Sequence, residues 1–153
     1  MPVAYFRELE EGDLESVSSR MRKLDIRELQ AVTPGEKPID SLLKAVGVSN
    51  EVYTLIITGK PEAIFGLANH KEGAVCWLLC TEEIASARLS LIRKGRDWVK
   101  SKAEQYGCLF NYVLGDHVQA HRFIEQLGFK FTHKAKINGE DFLRFEKRTV
   151  CAE

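Results

Sequence analysis

Short apolar runs separated by turn-forming residues make up most of the chain, and a few longer segments repeat their apolar positions at helical spacing. Runs rich in β-branched and aromatic residues, bounded by Gly, Pro, Asn or Asp, predict strands. We predict seven of them, at 3–10, 51–59, 63–68, 74–80, 108–115, 129–137 and 140–148. Short turns join the second, third and fourth strands, which predicts an antiparallel meander. Asn138-Gly139 predicts a tight hairpin turn between the last two strands.

Helical spacing marks four segments between these strands. The first begins at Asp13 as its N-cap, and its apolar positions share one face: Leu14, Val17, Met21 and Leu24. The second runs from Asp40 to Gly47, after a stretch whose prolines and glycine forbid a continuous helix. The third is the longest and carries an apolar stripe: Ile84, Leu91, Ile92, Trp98, Val99, Ala103 and Tyr106. A fourth, at 118–127, ends at Gly128, which gives one domain over 1–153 with the order β-α-α-β-β-β-α-β-α-β-β.

Composition excludes several functional classes. The 153 residues carry 22 Lys and Arg against 22 Asp and Glu, so no net charge draws the chain toward nucleic acid or an anionic membrane. The first residues lack the features of a signal peptide, and no apolar run approaches the roughly 20 residues of a membrane span. Four cysteines match neither a zinc spacing nor a disulfide framework, so we expect reduced thiols and a cytoplasmic protein: Cys76, Cys80, Cys108 and Cys151.

The segment LGDHVQAHRFIEQLGFKF, from Leu114 to Phe131, is the most specific motif in the chain. It resembles a strand–helix segment of the GNAT superfamily of N-acetyltransferases, in which an Ala and an aromatic residue precede a terminal Leu-Gly-Phe. The matching positions are Ala120, Phe123, Leu127, Gly128 and Phe129. The element order is similar to that superfamily along nearly the whole chain. The resemblance implies an α+β fold with a mixed, mostly antiparallel central sheet and helices on both faces, and acetyl-CoA as cofactor.

The cofactor loop of that superfamily follows the fourth strand and has small residues where backbone N–H groups approach a pyrophosphate. The corresponding stretch here has small residues at Ala85 and Ala87, but Glu82 stands where the family has Gln or Arg. A carboxylate there repels a pyrophosphate by roughly 1 kcal/mol or more. The resemblance implies a cofactor-binding set: backbone of Leu79, Cys80 and Thr81 for the pantetheine, and Ala85, Ser86, Ala87 and Arg88 for the pyrophosphate. The alternative is that these small residues only begin a helix and pack.

Acetyl transfer to an amine requires a base for the amine and an acid for the leaving thiolate. In many GNAT enzymes the acid is a Tyr directly after the aromatic residue at Phe123, and here that position is Ile124. Tyr112, on the fifth strand, and Tyr106 are the candidate replacements, each with a core aromatic as the alternative. Candidate bases lie near predicted strand ends: Glu62, Glu83, Asp116 and His117. For Asp116 the alternative is a cap on the following helix.

Two further patterns are weaker evidence for a functional site. His117 and His121 have an H-x-x-x-H spacing that places both rings on one helical face, as in some metal sites. The sequence offers no third ligand beyond Asp116, so we expect no metal. Cys80 requires a neighbouring base to act as a nucleophile, and its apolar surroundings favour a buried thiol.

A narrower resemblance joins CWLLC, FNYVLGDHVQAHRF and GEDFLRFEKR to small GNAT-like proteins of short-tailed lytic phages. It implies a protein of the host cytoplasm or the virion. Two functions follow: an N-acetyltransferase acting on an amine of a host or phage protein, or a non-catalytic protein that modulates a host enzyme or is internal to the virion. Glu82 and Ile124 favour the second. The basic face of the long helix suits an acidic partner or a phosphate, and the alternative is an ordinary solvated face. Its lack of interleaved aromatics argues against nucleic acid: Arg88, Arg93, Lys94, Arg96, Lys100 and Lys102.

Overall fold

A seven-stranded sheet with the strand order β1-β2-β3-β4-β5-β7-β6 forms the centre of the molecule. The computed structural model describes residues 3–149. Neighbouring strands are antiparallel except β4 and β5, which are parallel. This confirms the predicted mixed, mostly antiparallel sheet. The strands are β1 Ala4–Glu8, β2 Glu51–Ile57, β3 Lys60–His70, β4 Gly73–Cys80, β5 Cys108–Leu114, β6 Lys130–Ile137 and β7 Glu140–Arg148.

Helices cover both faces of the sheet, as the resemblance implied. Residues of α4 and α5, such as Val99 and Ile124, pack with Leu67 in the core of one face. On the other face Val17 and Leu42, from α1 and α3, pack on β3. The helices are α1 Asp13–Ser18, α2 Lys23–Val32, α3 Pro38–Val48, α4 Arg88–Tyr106 and α5 Val118–Gln126, and a 3-10 helix, Glu82–Ala87, leads into α4.

The predicted first helix is wrong in one respect, because it is broken into α1 and α2. Between them Met21 forms an antiparallel bridge with Thr81, and the Arg22 N–H donates to the Cys80 carbonyl at 2.8 Å. The Leu14-to-Leu24 spacing continues through this break, so local periodicity gives no sign of it. The break brings the start of α2 against the carboxyl end of β4.

Two of the predicted caps also differ from the structure. The N-cap of α1 is Gly12, with φ of 90°, and Asp13 is the first helical residue. The Asp13 carboxylate accepts hydrogen bonds from the Glu10 N–H at 2.8 Å and from Thr54 Oγ1 at 2.6 Å. In α3 the helix begins at Pro38, whose fixed φ suits a first helical turn. Both aspartates therefore lie in the first turn of their helices, where the helix dipole favours a negative charge.

The sheet is nearly divided between β4 and β5. These parallel strands pair at Ala74 with Leu109 and at Val75 with Phe110, and then diverge. The Asn111 side chain donates from Nδ2 to the Cys76 carbonyl at 2.6 Å, just past the last pair. Beyond that hydrogen bond the two strands no longer share a ladder in the described part of the chain, and a cleft opens.

Two expectations from composition bear on the fold. Within residues 3–149 no helix is long and apolar enough to cross a membrane. Cys80 and Cys108 are buried and Cys76 is partly buried, and all three are free thiols, as predicted. The prediction for Cys151 lies outside the described residues.

Candidate functional site

A cleft with a volume of about 840 Å³ occupies the gap where β4 and β5 diverge. Leu78 and Leu79 of β4 and Tyr112 of β5 contribute to its walls, together with Leu91 of α4 and Phe123 of α5. Mostly apolar clefts of roughly 300–1,000 Å³ with a few polar groups are the usual form of small-molecule sites. The cleft therefore has the size and character of a binding site for an organic ligand.

The backbone of β4 presents hydrogen-bonding groups to this cleft. The Thr81 N–H donates to the Glu62 carbonyl at 2.9 Å, so this residue directs its backbone toward β3. Alternate residues of a strand face opposite edges, so Leu78 and Cys80 direct theirs toward β5. Because the ladder with β5 ends at Val75 in the described residues, the groups of Leu78 are presented to the cleft instead.

The corresponding groups of Cys80 are already used by α2. Its carbonyl accepts from the Arg22 N–H at 2.8 Å, and its N–H donates to Asp25 Oδ2 at 3.0 Å. Asp25 is 3% exposed, and its Oδ1 accepts from Arg22 Nη2 at 2.8 Å. We call this arrangement the Arg22–Asp25–Cys80 tether. It holds the start of α2 at the floor of the cleft.

The tether also determines the state of the Cys80 sulfur. Burial, followed by the charge of Asp25, raises the pKa of the Cys80 thiol well above its usual value. The thiolate is the nucleophilic form of cysteine. The structure therefore agrees with the predicted buried thiol and gives Cys80 no nucleophilic role.

A buried pair that the sequence did not identify stands at the same end of the cleft. His117 is 1% exposed, and its Nδ1 lies 3.3 Å from Oε2 of Glu28 on α2. Burial raises the pKa of the Glu28 carboxyl, and the hydrogen bond with His117 acts in the opposite direction. Both side chains line the cleft. Of the predicted bases, His117 is thus the one that the fold places against the cleft with a carboxylate partner.

Asp25 lies close to this pair, and the three side chains each bring one ligand atom within 4.8 Å of the others. Such a group can hold a cation in principle. The Asp25 carboxylate is already neutralised by Arg22 and hydrogen-bonded to the Cys80 N–H. Its two oxygens are therefore engaged, and we do not assign a metal to this group.

The predicted H-x-x-x-H pair does not form a joint site. His121 Nε2 lies 2.8 Å from the Leu114 carbonyl oxygen, whereas His117 is the N-cap residue of α5 and turns toward Glu28. The two rings thus have separate partners. Asp116, the one further candidate ligand in the sequence nearby, is exposed and binds Arg27 at 3.1 Å.

The other predicted catalytic residues divide between the cleft and the surface. Tyr112 lines the cleft, whereas Glu83 is exposed at the start of the 3-10 helix. Arg27 lowers the pKa of the Asp116 carboxyl, and no side chain caps α5, so the predicted cap at Asp116 is wrong. Glu62 is buried and engaged by Arg20 Nη1 at 2.6 Å. Among these residues the structure brings only Tyr112 to the same cleft as His117.

The predicted pyrophosphate loop is the 3-10 helix between β4 and α4. Its Ile84 N–H donates to the Thr81 carbonyl, and the following Arg88 N–H donates to the Ala85 carbonyl. Internal bonds of this kind leave fewer backbone donors for a phosphate than an open loop does. Thr81 accepts the Glu83 N–H through Oγ1 at 3.2 Å, so its side chain acts as the helix cap.

The small residues of this loop have different surroundings. Ala85 is exposed and lines the cleft, whereas Ala87 is 3% exposed and packs in the core with Leu55 and Ala63. Ser86 is exposed, and its hydroxyl donates to the Glu83 carbonyl at 2.8 Å. Ala87 is therefore a packing residue, as the alternative interpretation of these small residues expected. Ala85 is the small residue of the loop that is accessible from the cleft.

Positive side chains, rather than backbone groups, supply charge to this end of the cleft. Arg88, Lys94 and Arg122 line it. Arg88 Nη2 donates to Gln126 Oε1 at 2.5 Å, which holds its guanidinium between α4 and α5. Guanidinium groups bind phosphate oxygens through paired N–H donors. The sequence signal was the basic face of the long helix, of which Arg88 and Lys94 are part.

No family model and no curated protein sequence matches the chain. Solved structures match over nearly its whole length. The ribosomal-protein-S18-alanine N-acetyltransferase of Escherichia coli has a TM-score of 0.69 at 15% identity, over 99% of this chain and 97% of that chain. The spermidine N-acetyltransferase of Vibrio cholerae, in complex with CoA and spermine, has a TM-score of 0.67 at 17% identity, over 95% of both chains.

A GNAT-family acetyltransferase of Streptococcus pneumoniae has a TM-score of 0.58 at 14% identity, over 97% of this chain and 100% of that chain. Identities this low establish architecture and carry no information about activity. The matches agree with the mixed, mostly antiparallel sheet and its helices. The chain therefore has the fold of the GNAT N-acetyltransferases.

Proposed function

We propose that this protein transfers the acetyl group of acetyl-CoA to an amine, and that the reaction takes place in the cleft between β4 and β5. The observation that carries the proposal is the presentation of the Leu78 backbone to a cleft of about 840 Å³. An extended chain with amide groups can pair with such a strand edge as an additional strand does. The pantetheine arm of CoA is a chain of that kind.

The residues present fit this cofactor in a definite manner. The Leu78 backbone and the apolar wall would hold the pantetheine, and Ala85 leaves room at the surface for the pyrophosphate. Arg88 and Arg122 would supply the positive charge that the phosphates require. The bound cofactor supplies an acyl group activated as a thioester. The protein would contribute mainly the alignment of that group with the amine.

This assignment narrows the cofactor-binding set implied by the resemblance. Leu79, Ala85 and Arg88 line the cleft, whereas Ser86 and the buried Ala87 serve the 3-10 helix. The backbone of Cys80 is held by the tether. We therefore place the cofactor along Leu78 and against arginine side chains, with less use of the loop backbone.

The acceptor remains a proposal at the level of chemical class. The comparison structures include enzymes named for a ribosomal-protein alanine and for spermidine, which are both amines. We propose an amine of a protein as the acceptor here, in keeping with the predicted host or phage target. The phage resemblance and a host partner stay predictions.

The alternative is a non-catalytic protein that binds a partner while keeping the acetyltransferase fold. Two observations favour it: the tether occupies the backbone groups of Cys80, and the buried Ile124 stands where many GNAT enzymes have a tyrosine. A protein of this kind would give no acetyl transfer with any amine. The acetyl-CoA binding experiment below separates the two functions when it is followed by a transfer assay.

A pair of glutamate substitutions tests the cofactor position. Ala85 and Ser86 are neighbouring and exposed, but only Ala85 lines the cleft in the described structure. Thermal unfolding is measured with increasing acetyl-CoA, since a ligand of the native state stabilises it by RT ln(1 + [L]/Kd). We expect stabilisation of the wild type and of Ser86→Glu, and at least tenfold weaker binding for Ala85→Glu, whose carboxylate enters the phosphate region.

Two results would contradict the proposal. The first is a wild-type protein that acetyl-CoA does not stabilise at millimolar concentration. The second is an equal loss of binding in Ala85→Glu and Ser86→Glu, which would indicate general electrostatic repulsion and not a bound phosphate at the cleft. Binding without transfer to a panel of peptide amines and polyamines would support the non-catalytic alternative.

A further inference from the structure

The orientation of the His117 ring has a chemical consequence. Its Nδ1 lies 3.3 Å from Glu28 Oε2, and a carboxylate is an acceptor only. A neutral imidazole beside it therefore carries its proton on Nδ1 and leaves Nε2 as an acceptor. The contact joins residues 89 positions apart, on α2 and at the start of α5, so the fold itself fixes the ring.

The second ring nitrogen is not engaged by the described chain. Within residues 3–149 no hydrogen-bond partner of His117 Nε2 is present. His117 is 1% exposed, and its ring lines the cleft. Nε2 is therefore the ring nitrogen left for a group that enters the cleft.

Glu28 is the carboxylate in contact with the His117 ring. Asp25 also faces Glu28, but its charge is matched by Arg22 at 2.8 Å. Arg22 interacts electrostatically with Glu28 as well as with Asp25. The positive charge of Arg22 thus compensates the negative charge of Asp25, and Glu28 is the carboxylate that contacts His117.

We propose that His117 is the proton acceptor for the amine substrate, with Glu28 as the residue that positions its ring. This rests on the proposed function. An ammonium group that enters the cleft gives one proton to His117 Nε2 and becomes a neutral amine with a free electron pair. The ring, now protonated at both nitrogens, keeps its contact with the Glu28 carboxylate. It then releases the Nε2 proton to water.

The proposal assigns different tasks to the two residues. His117 touches the reacting nitrogen and is catalytic, whereas Glu28 acts through His117. Loss of the base removes the proton acceptor. Loss of the carboxylate leaves a base whose ring orientation and tautomer are not fixed. These differences can be measured separately.

The first experiment uses the protein without ligand. Nitrogen-15 NMR of the imidazole rings reports which ring nitrogen carries the proton, and His117→Gln identifies the signals of that ring among the four histidines. We expect the Nδ1–H tautomer in the wild type and a mixture of tautomers in Glu28→Gln. Glu140→Gln, an exposed glutamate paired with Arg27 at 3.1 Å, is the matched control and should leave the spectrum unchanged.

The second experiment measures acetyl transfer to a peptide amine as a function of pH, with acetyl-CoA binding measured by calorimetry for each variant. We expect His117→Gln and Glu28→Gln to bind acetyl-CoA within threefold of the wild type. Their kcat should fall by about 100-fold or more, as is usual for loss of a general base. The pH profile of His117→Gln should follow the ionisation of the free amine.

The outcomes separate this inference from the proposed function. A wild-type protein without transfer activity would overturn both. An active wild type with unchanged kcat and pH profiles in the two variants would overturn only the roles of His117 and Glu28. An Nε2–H tautomer in the wild-type spectrum would do the same, because Nε2 could then not accept a proton.

Discussion

Removal of the Asp25 carboxylate tests how much the tether contributes to the stability of the fold. Asp25→Ala takes away both the partner of Arg22 Nη2 at 2.8 Å and the acceptor of the Cys80 N–H at 3.0 Å. The side chain of Arg22 is 14% exposed and that of Asp25 is 4% exposed, so water replaces little of the interaction that Arg22 loses. Breaking a buried ion pair on one side costs about 3–5 kcal/mol.

The same helix offers a control of similar chemistry at the surface. Arg27 binds Asp116 and Glu140, both at 3.1 Å, but its side chain is 44% exposed. Exposed pairs contribute about 0–1 kcal/mol each. Arg27→Gln should therefore cost clearly less stability than Asp25→Ala, although it removes two ion pairs where Asp25→Ala removes one.

Urea unfolding followed by circular dichroism gives the free energy of unfolding of each variant. For a domain of this size about 1 kcal/mol corresponds to roughly 2–4 °C, so Asp25→Ala should lower Tm by about 6–20 °C. Equal losses in Asp25→Ala and Arg27→Gln would refute the reasoning. A loss below about 1 kcal/mol for Asp25→Ala would refute it as well, since burial would then not determine how much the Arg22–Asp25 ion pair contributes to the free energy of unfolding.

Three further predictions concern other parts of the molecule. Burial, followed by the hydrogen bond to Glu51, raises the pKa of Tyr53 to about 12, and the hydrogen bond to Glu51, followed by burial, raises that of Tyr106 to about 12. Stability present below pH 10 should therefore be lost as pH rises toward 12, and ultraviolet titration should show both phenols ionising late. Gly66→Ala places a Cβ 2.5 Å from the Glu51 carbonyl oxygen and should cost about 1–3 kcal/mol in urea unfolding; an unchanged midpoint would refute the contact. Iodoacetamide at pH 8 should modify Cys80 only after unfolding, as peptide mass spectrometry would detect.

Much of the architecture could be predicted from local sequence because local chemistry determines it. The Asn138-Gly139 turn has φ of 48° and 83°, which are the values that favour these two residues. Gly128 has φ of 102° at the end of α5, as its place after a helical run indicates. The β-branched and aromatic runs predicted all seven strands, because turn-forming residues bound each run.

The candidate site could be predicted only in part, because its groups meet through the fold. His117 was a candidate by its place after β5, but its partner Glu28 lies 89 residues earlier. Glu28 follows Asp25 by one helical turn, which is a visible signal only once α2 is known to cross the end of β5. Ala87 shows the opposite case, since a small residue can serve either a phosphate or the core, and only packing decides between them.

The narrow junction between β4 and β5 divides the sheet into two mechanical units. β4 and β5 share two residue pairs, whereas β5 and β7 share seven. Cooperative units of unfolding often follow such boundaries, so hydrogen exchange should release the cleft-facing amides of β4 before those of the β5–β7 half. An extended ligand that pairs with the Leu78 backbone would then connect β4 to β5 and stabilise the boundary between the two parts of the sheet. The largest gain in exchange protection on ligand binding should accordingly appear in the sheet itself and not in the surface loops.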